Sequence, residues 1–395
     1  MRIALISETF LPKIDGITNT LCRLLEHLYK RGHETIMFAP QGAPDYYAYT
    51  QIIQPISFPF PFYPELKVAN PFAKLDKHLP AFKPEIIHVV NPFSLGVAGT
   101  QYALSNNIPL VASYHTDIPG YTTHFYGLPF MTQLIWDYFR WIHNKADLTL
   151  CPSHSTMREL EEQGFTNLKI WSRGVDIERF APSKIHPTWR WTISGGHPEA
   201  PVLLYVGRLA AEKRVDWLLP VIKAIPNAHL VIVGDGPMRA ELEPLFSGTN
   251  TIFTGYLQGE ELARTYASSD LFVFPSANET FGNVVLEAMA SGLPVVAPSS
   301  GGVMDSVVDG QTGLLFKPDS KDDLVAAISR ILSDPALFRY MGSQARAVAK
   351  TRSWSGVLDH LIEDYSQVIS QHRQKKARLH LSQHSGMVHR HFWME

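Results

Sequence analysis

Apolar and polar positions along the chain alternate between two patterns. Short apolar runs recur at Arg2–Ile6, Thr35–Ala39, Ile86–Val90, Leu110–Ser113 and Leu148–Cys151. Between them lie amphipathic stretches, such as Leu21, Leu24, Leu25 and Leu28 at helical spacing, closed by Gly32. A run that is apolar at every position predicts a strand covered on both faces, and alternation with helices predicts a parallel sheet. A Pro/Gly/Ser-rich stretch, Pro182 to Pro201, interrupts the series. It restarts with a strand at Val202–Val206, a helix at Val215–Ile225, and strands at Leu230–Val233, Ile252–Phe253, Leu271–Phe274 and Val295–Ala297. A last helix is predicted over Val357–Ile369. The fold class is therefore α/β with two Rossmann-like domains. The expected divisions are 1–185, 200–353, a helix at 354–372 that packs back on the first domain, and a flexible tail at 373–395. Open parallel sheets bind ligands beyond the carboxyl ends of their strands. Two such sheets facing each other predict a cleft between the domains, lined by the loops that follow strands.

Composition narrows the classes. The 395 residues suit two domains, and 45% hydrophobic with 18% charged residues is ordinary for a protein with a real core. A formal net charge of -2 gives no global basic field, so nucleic acid is not expected as a partner. The two cysteines, Cys22 and Cys151, have no metal-type spacing. The opening run turns polar at Ser7 and Glu8, too early for a signal peptide, and no 18-residue apolar stretch occurs. A cytoplasmic protein is expected, with membrane contact only peripheral, at the inner face. Five histidines crowd the end of the chain (His372, His380, His384, His389, His391), but their spacing fits no zinc pattern and a solvated tail is expected.

The candidate chemistry sits after strands. In Gly207-Arg208-Leu209-Ala210-Ala211-Glu212-Lys213, two cations five residues apart follow a strand and a glycine. Such a pair can stabilise the charge of a departing diphosphate without a metal, where ordinary surface pairs would be the alternative. In Glu279-Thr280-Phe281-Gly282-Asn283-Val284-Val285-Leu286-Glu287, a loop leads into a helix near Gly282 or Asn283. Free N–H groups at a helix start suit phosphate, and Gly282 permits close backbone approach. Glu279 can hold sugar hydroxyls. Glu287 lies inside a helix that is apolar nearly all round, where a carboxylate needs a partner; ribose hydroxyls would serve. His115 follows the strand Leu110–Ser113, with Asp117 two residues on to fix its tautomer or hold an acceptor. The loops Glu8–Gly16 and Gly234-Asp235-Gly236 lack a complete G-x-G-x-x-G, against a nicotinamide dehydrogenase. No D-x-D metal motif is present, and neither cofactor nor metal is expected.

These segments, with the E-x7-E spacing of Glu279 and Glu287, Phe253-Thr254-Gly255-Tyr256-Leu257 and Gly301-Gly302, resemble the GT-B family 4 (group 1) retaining glycosyltransferases over nearly the whole chain. The resemblance implies a nucleotide-diphosphate sugar as donor and retention of its anomeric configuration. It implies that Arg208 and Lys213 bind the diphosphate and that Gly255, Tyr256 and Leu257 meet the nucleobase. Glu279, Phe281, Gly282 and Asn283 would contact sugar and phosphate, Glu287 the ribose, Gly16 the diphosphate, and His115 the donor sugar. His115, Arg208, Lys213 and Glu279 form the expected catalytic set.

Two groups of relatives compete for the substrate. Phe62-Tyr63-Pro64-Glu65-Leu66-Lys67, Ile87-His88-Val89-Val90-Asn91-Pro92, Leu110–Thr116 and Gly255–Ser268 look like sulfoquinovosyl-diacylglycerol synthases. Tyr114-His115-Thr116-Asp117, Trp171-Ser172-Arg173-Gly174-Val175-Asp176 and Glu279-Thr280-Phe281 look like GDP-mannose-dependent α-mannosyltransferases. Both imply a lipid acceptor. A nucleotide-sugar epimerase, which would alter the donor without any acceptor, shares the fold. The aromatic segment Phe130 to Ile142 reads as core packing or as a membrane-dipping helix, with Arg140, His143 and Lys145 near head groups.

Overall fold

The computed structural model describes every residue except 14, 61–62, 70–71, 116–128, 277–278 and 389–395; for residues 59–60, 63–69, 72–73, 129–131 and 379–388 it describes only the backbone. The chain forms two compact units. The first comprises Met1–Cys151, Met157–Trp171 and Leu358–Glu395; the second comprises Pro152–Thr156 and Ser172–Val357. Residues 172–185, expected with the first domain, belong to the second.

The first unit holds an eight-stranded sheet. In spatial order its strands are Leu168–Ile170, Leu148–Cys151, Leu110–Ser113, Ile86–Val89, Arg2–Ile6, Glu34–Phe38, Thr50–Ile53 and Tyr46–Tyr47. All neighbours are parallel but the last pair. Alternate residues of the central strand serve opposite faces. Ala4 and Ile6 pack with Leu95 and Ala98 of helix Ser94–Ser105. Helix Gly16–Lys30 buries Leu21, Leu24, Leu25 and Leu28, the positions predicted by its periodicity. Asp15 caps that helix, its carboxylate accepting from Thr18 N at 2.8 Å, so the loop after the first strand ends in a fixed position.

The second unit holds a six-stranded parallel sheet in the order Thr251–Gly255, His229–Val233, Val202–Val206, Leu271–Val273, Val295–Pro298, Gly313–Phe316. Val202, Leu204 and Val206 pack with Val285 and Leu286 of helix Asn283–Ala290 and with Ala345 of helix Pro335–Lys350. Leu203 and Tyr205 pack with Leu218 and Ile222 and with Leu324 and Ile328 of helix Lys321–Ser333 on the other face. Both faces are covered, which is why these strands show no polar alternation.

Several local expectations shift. The helix expected from Val215 begins as a 3-10 turn, Val215–Trp217, and becomes α-helical only over Leu218–Ala224. Pro220 accounts for this: its ring is accepted in a first turn and clashes farther inside. The last helix runs over Trp354–Val388, well past the expected end. Leu358, Leu361, Tyr365, Val368 and Ile369 are buried, all within the portion that belongs to the first unit. Asp359 pairs with Arg31 and with His27 (2.7 Å), and Asp364 with Lys169. His372 lies 3.1 Å from Asp147. His389 and His391 fall outside the described residues, and among the described residues no group of three or more potential metal ligands occurs.

Candidate active site

The second unit's candidate residues sit at the carboxyl ends of its strands, on loops that are tied to one another. Gly207 N–H donates to Val233 O (3.0 Å), Leu209 N–H to Asp235 O (2.9 Å), and Gly234 N–H to Gly255 O (2.8 Å). The Arg208–Lys213 loop is held from below as well. Tyr205 donates its hydroxyl to Arg208 O at 3.0 Å, and Ser276 donates to Glu212 O at 3.3 Å. Tyr205 is buried, and its phenol is pushed far up by that burial and then by the charges of Glu279 and Glu212. It therefore stays a donor. Arg208 is exposed at the end of this scaffold.

Lys213 and Glu279, expected separately, form an ion pair: Nζ lies 2.8 Å from Oε2, and both side chains are mostly buried. The loop that carries Glu279 is anchored by Gly302, whose N–H donates to Glu279 O at 2.6 Å. Gly282 follows with φ +83°, a left-handed conformation that glycine adopts without strain, and it caps helix Asn283–Ala290. The cap makes no side-chain hydrogen bond; Val285 N–H donates to Gly282 O at 3.0 Å, and the amides of Asn283 and Val284 have no partner among the described residues, which suits them to a ligand. Asn283 Oδ1 is buried with no hydrogen-bond partner among the described residues.

Glu287 stands in the second turn of that helix. Tyr266, fully buried, donates its hydroxyl to Glu287 Oε2 at 3.0 Å. Desolvation lifts the Glu287 carboxyl to about 7, against the opposing effects of the Tyr266 hydrogen bond and the Arg179 charge. Tyr256 is exposed as a residue, yet its phenol is raised by partial burial and by the charge of Glu287. Glu287 and Tyr256 of the Gly255–Leu257 loop thus lie within electrostatic reach of each other.

In the first unit, Gly16 opens its helix directly after the Asp15 cap. His115 lies one residue beyond the buried Tyr114, and its Nε2 is 2.9 Å from Ser113 Oγ. Asp117 and Thr116, named with it, lie outside the described residues. Sequence reasoning missed Glu8. Its Oε1 accepts from the N–H groups of Leu95 (2.6 Å) and Gly96 (3.0 Å), at the start of helix Ser94–Ser105. Its Oε2 has no partner among the described residues, and only 4% of the residue is exposed. Desolvation outweighs the amide hydrogen bonds and pushes the carboxyl up to about 8. Asn91 Oδ1 binds the same loop, accepting from Ser7 Oγ (3.1 Å) and Glu8 N (3.3 Å). The signal in the sequence was an acidic residue immediately after an all-apolar strand.

Residues 14–179 match the Glycosyltransferase Family 4 description, and residues 200–334 match Glycosyl transferases group 1. The chain is 38% identical to a GDP-mannose-dependent alpha-mannosyltransferase of Mycobacterium tuberculosis, over 93% of this chain and 97% of that protein. It is 35% identical to a sulfoquinovosyl transferase of Arabidopsis thaliana, over 96% of this chain and 76% of that protein. The chain belongs to the family 4, group 1 glycosyltransferases. A sucrose-phosphate synthase from Thermosynechococcus elongatus has the same fold, with TM-score 0.76 and 25% identity over 94% of this chain and 99% of that one.

As a family 4 glycosyltransferase the chain uses a nucleotide-sugar donor and belongs to a retaining family. Its two parallel α/β sheets are those of the GT-B fold. Within the second unit of this glycosyltransferase the structure brings Lys213 beside Glu279, and Glu287 near Tyr256. Leu257 and Phe281 pack into the unit's core. Tyr266, which holds Glu287, lies on helix Gly259–Ala267 inside the synthase-like segment Gly255–Ser268, but nothing local marks it as the partner of Glu287.

Proposed function

We propose that this glycosyltransferase moves a hexose from a nucleoside-diphosphate sugar to a lipid acceptor, with UDP-sulfoquinovose and diacylglycerol as the leading pair. The observation that carries the donor half is the Lys213–Glu279 ion pair beside the glycine-capped helix at Asn283. Arg208 and Lys213 neutralise the departing diphosphate, and the open amides of the helix bind its oxygens. Glu279 accepts from sugar hydroxyls. Glu287 accepts from the ribose, Gly255, Tyr256 and Leu257 border the base, and Phe281, Gly282 and Asn283 line the phosphate approach. Gly16 and His115 act from the first unit. The cations and helix amides supply the positive charge, so no divalent ion is required.

The acceptor half rests on the kinship with the sulfoquinovosyl transferase and on the Asn91-Pro92 segment after strand Ile86–Val89. Phe62–Lys67, another synthase-like segment of the first unit, carries no described side chains. Helix Pro129–His143 supports a membrane-facing role: Trp136, Phe139 and Ile142 are core, while Leu134, Tyr138 and Trp141 are exposed, with Lys145 over the Trp141 ring at 4.6 Å. Basic groups near such a surface add about 1 kcal/mol each toward anionic lipid, and salt weakens them. No helix among the described residues is long and apolar enough to cross a membrane.

The kinship with the Mycobacterium tuberculosis enzyme supports a second reading, transfer from GDP-mannose to a glycolipid or phospholipid. Calorimetry with UDP- and GDP-sugars, followed by product analysis on vesicles in EDTA, separates them. The leading reading expects UDP-sulfoquinovose binding and a diacylglycerol product that forms without a divalent ion. Turnover of GDP-mannose alone selects the second. Transfer only to a soluble acceptor removes both, and an altered sugar nucleotide with no acceptor product marks an epimerase.

A further inference from the structure

His115 belongs to a chain of hydrogen bonds that starts on the final helix. Tyr365 of helix Trp354–Val388 places its hydroxyl 2.6 Å from His88 Nδ1. His88 Nε2 lies 2.9 Å from Ser113 Oγ, and Ser113 Oγ lies 2.9 Å from His115 Nε2. Tyr365 and His88 are fully buried, and Ser113 nearly so. The Trp171 ring meets both imidazoles edge-on, at 5.6 Å from His88 and 5.7 Å from His115.

The direction of the chain follows from what each group can donate. The Tyr365 hydroxyl has one hydrogen-bond partner among the described residues, His88 Nδ1. Were it to accept there, its own proton would be buried unpaired, at a penalty of about 1–3 kcal/mol. Burial, and then the charge of neighbouring Asp364, raise its phenol far above the ordinary range, so it keeps that proton. Asp364 is itself paired with Lys169. Tyr365 therefore donates to His88 Nδ1, and His88 carries its proton on Nε2. His88 then donates to Ser113 Oγ, whose own proton has His115 Nε2 as its acceptor among the described residues. An imidazole that accepts at Nε2 carries its proton on Nδ1.

We propose that Tyr365 is a positioning residue that acts through His88 and Ser113 to hold His115 as the neutral Nδ1–H tautomer, so that it presents a hydrogen-bond donor rather than a base to the donor sugar. The tautomer stands on the geometry alone; its use on a sugar rests on the role proposed above for His115. A residue of the last helix thereby orients a group at the end of strand Leu110–Ser113, which gives that helix a part in catalysis beyond covering the sheet.

The test is the long-range nitrogen–proton NMR spectrum of the histidine rings, with His115 assigned from the signals lost in His115→Gln. In the unaltered enzyme His115 is expected as Nδ1–H and His88 as Nε2–H. Tyr365→Phe keeps the ring and removes the proton, and Ser113→Ala breaks the chain one link nearer; each is expected to return His115 toward the Nε2–H form that free imidazole favours. Ser113→Ala serves if Tyr365→Phe fails to fold. Turnover is expected to fall about tenfold in either variant, roughly one hydrogen bond, with KM for the donor little changed. His115 in one unchanged tautomer in both variants, or as Nε2–H in the unaltered enzyme, overturns the relay. If His115→Gln keeps full turnover while the tautomer moves as expected, the relay stands and the sugar-binding role of His115 falls.

Discussion

Tyr266 and Glu287 form a donor–acceptor pair across 3.0 Å, in which a buried phenol supports a carboxyl lifted to about 7. Near neutrality the free enzyme therefore holds this carboxyl partly protonated, whereas two ribose hydroxyls are best accepted by the ionised form. Binding of a nucleoside diphosphate is expected to tighten as pH rises from about 6 to about 8, by up to tenfold per unit on the acid side, and then level off. Calorimetry in buffers of different ionisation enthalpy measures the proton released. Glu287→Gln should abolish that proton and weaken binding; an unchanged proton count contradicts the ribose role.

Arg208 and Lys213 share the diphosphate in the proposed reaction, and in the free enzyme Lys213 also neutralises Glu279. Removing one preorganised charge donor typically lowers the rate by about 10²–10³. Arg208→Ala should show that loss while the protein stays folded. Lys213→Ala should show it together with a lower melting temperature, because Glu279 is left partly buried without its cation. Single-turnover rates and calorimetric scans measure both, and near-normal rates in the two variants would sink the assignment.

Glu8 predicts a stability effect of opposite pH sign to an ordinary salt-bridged acid. Its carboxyl is raised from 4.5 to about 8 in the folded chain. The folded state thus holds a proton that the unfolded state has released. That contribution is fully present below 4.5 and is lost as pH rises through about 8. The native enzyme should lose stability between about pH 4.5 and about pH 8, on the order of a few kcal/mol, and level off above that. Glu8→Gln, which keeps an acceptor for Leu95 and Gly96, should flatten that slope in denaturant titrations.

Gly302 fixes the Glu279 loop by close approach. A Cβ there would lie 2.0 Å from Thr280 O. Gly302→Ala should force the two loops apart, lower the melting temperature by several degrees and weaken donor binding. A variant with native melting and native donor affinity would show that the loop tolerates displacement.

The sheets were legible because both faces of each are covered, which leaves runs such as Val202–Val206 apolar at every position. Edge strands were not. Leu168–Ile170 and Tyr46–Tyr47 are short and partly exposed, and nothing in their composition separates them from loops. Gly313–Phe316 is buried, but a Gly-flanked run of four residues carries little periodic signal. At the candidate site, motif spacing found Lys213, Glu279 and Glu287 but not their supports. Tyr266 and Tyr365 reach their partners through folding, across 21 and 277 residues, and no local pattern encodes such distances. Glu8 was read as the start of a loop because an acidic residue after a strand is most often solvated. Its burial depends on helix Ser94–Ser105, far along the chain.

The last helix has a consequence for how enzymes of this kind can be recombined. Residues 358–388 fold with the first unit although they follow the whole of the second in sequence. A hybrid made by a single crossover near residue 200 would join one parent's sheet to the other parent's closing helix. Tyr365 would then have to find His88, and Asp359 would have to find Arg31, in a partner they did not evolve with. Exchange of donor specificity is therefore expected to succeed when the second unit is transplanted as an insert with two junctions, and to fail when the C-terminal half is swapped whole.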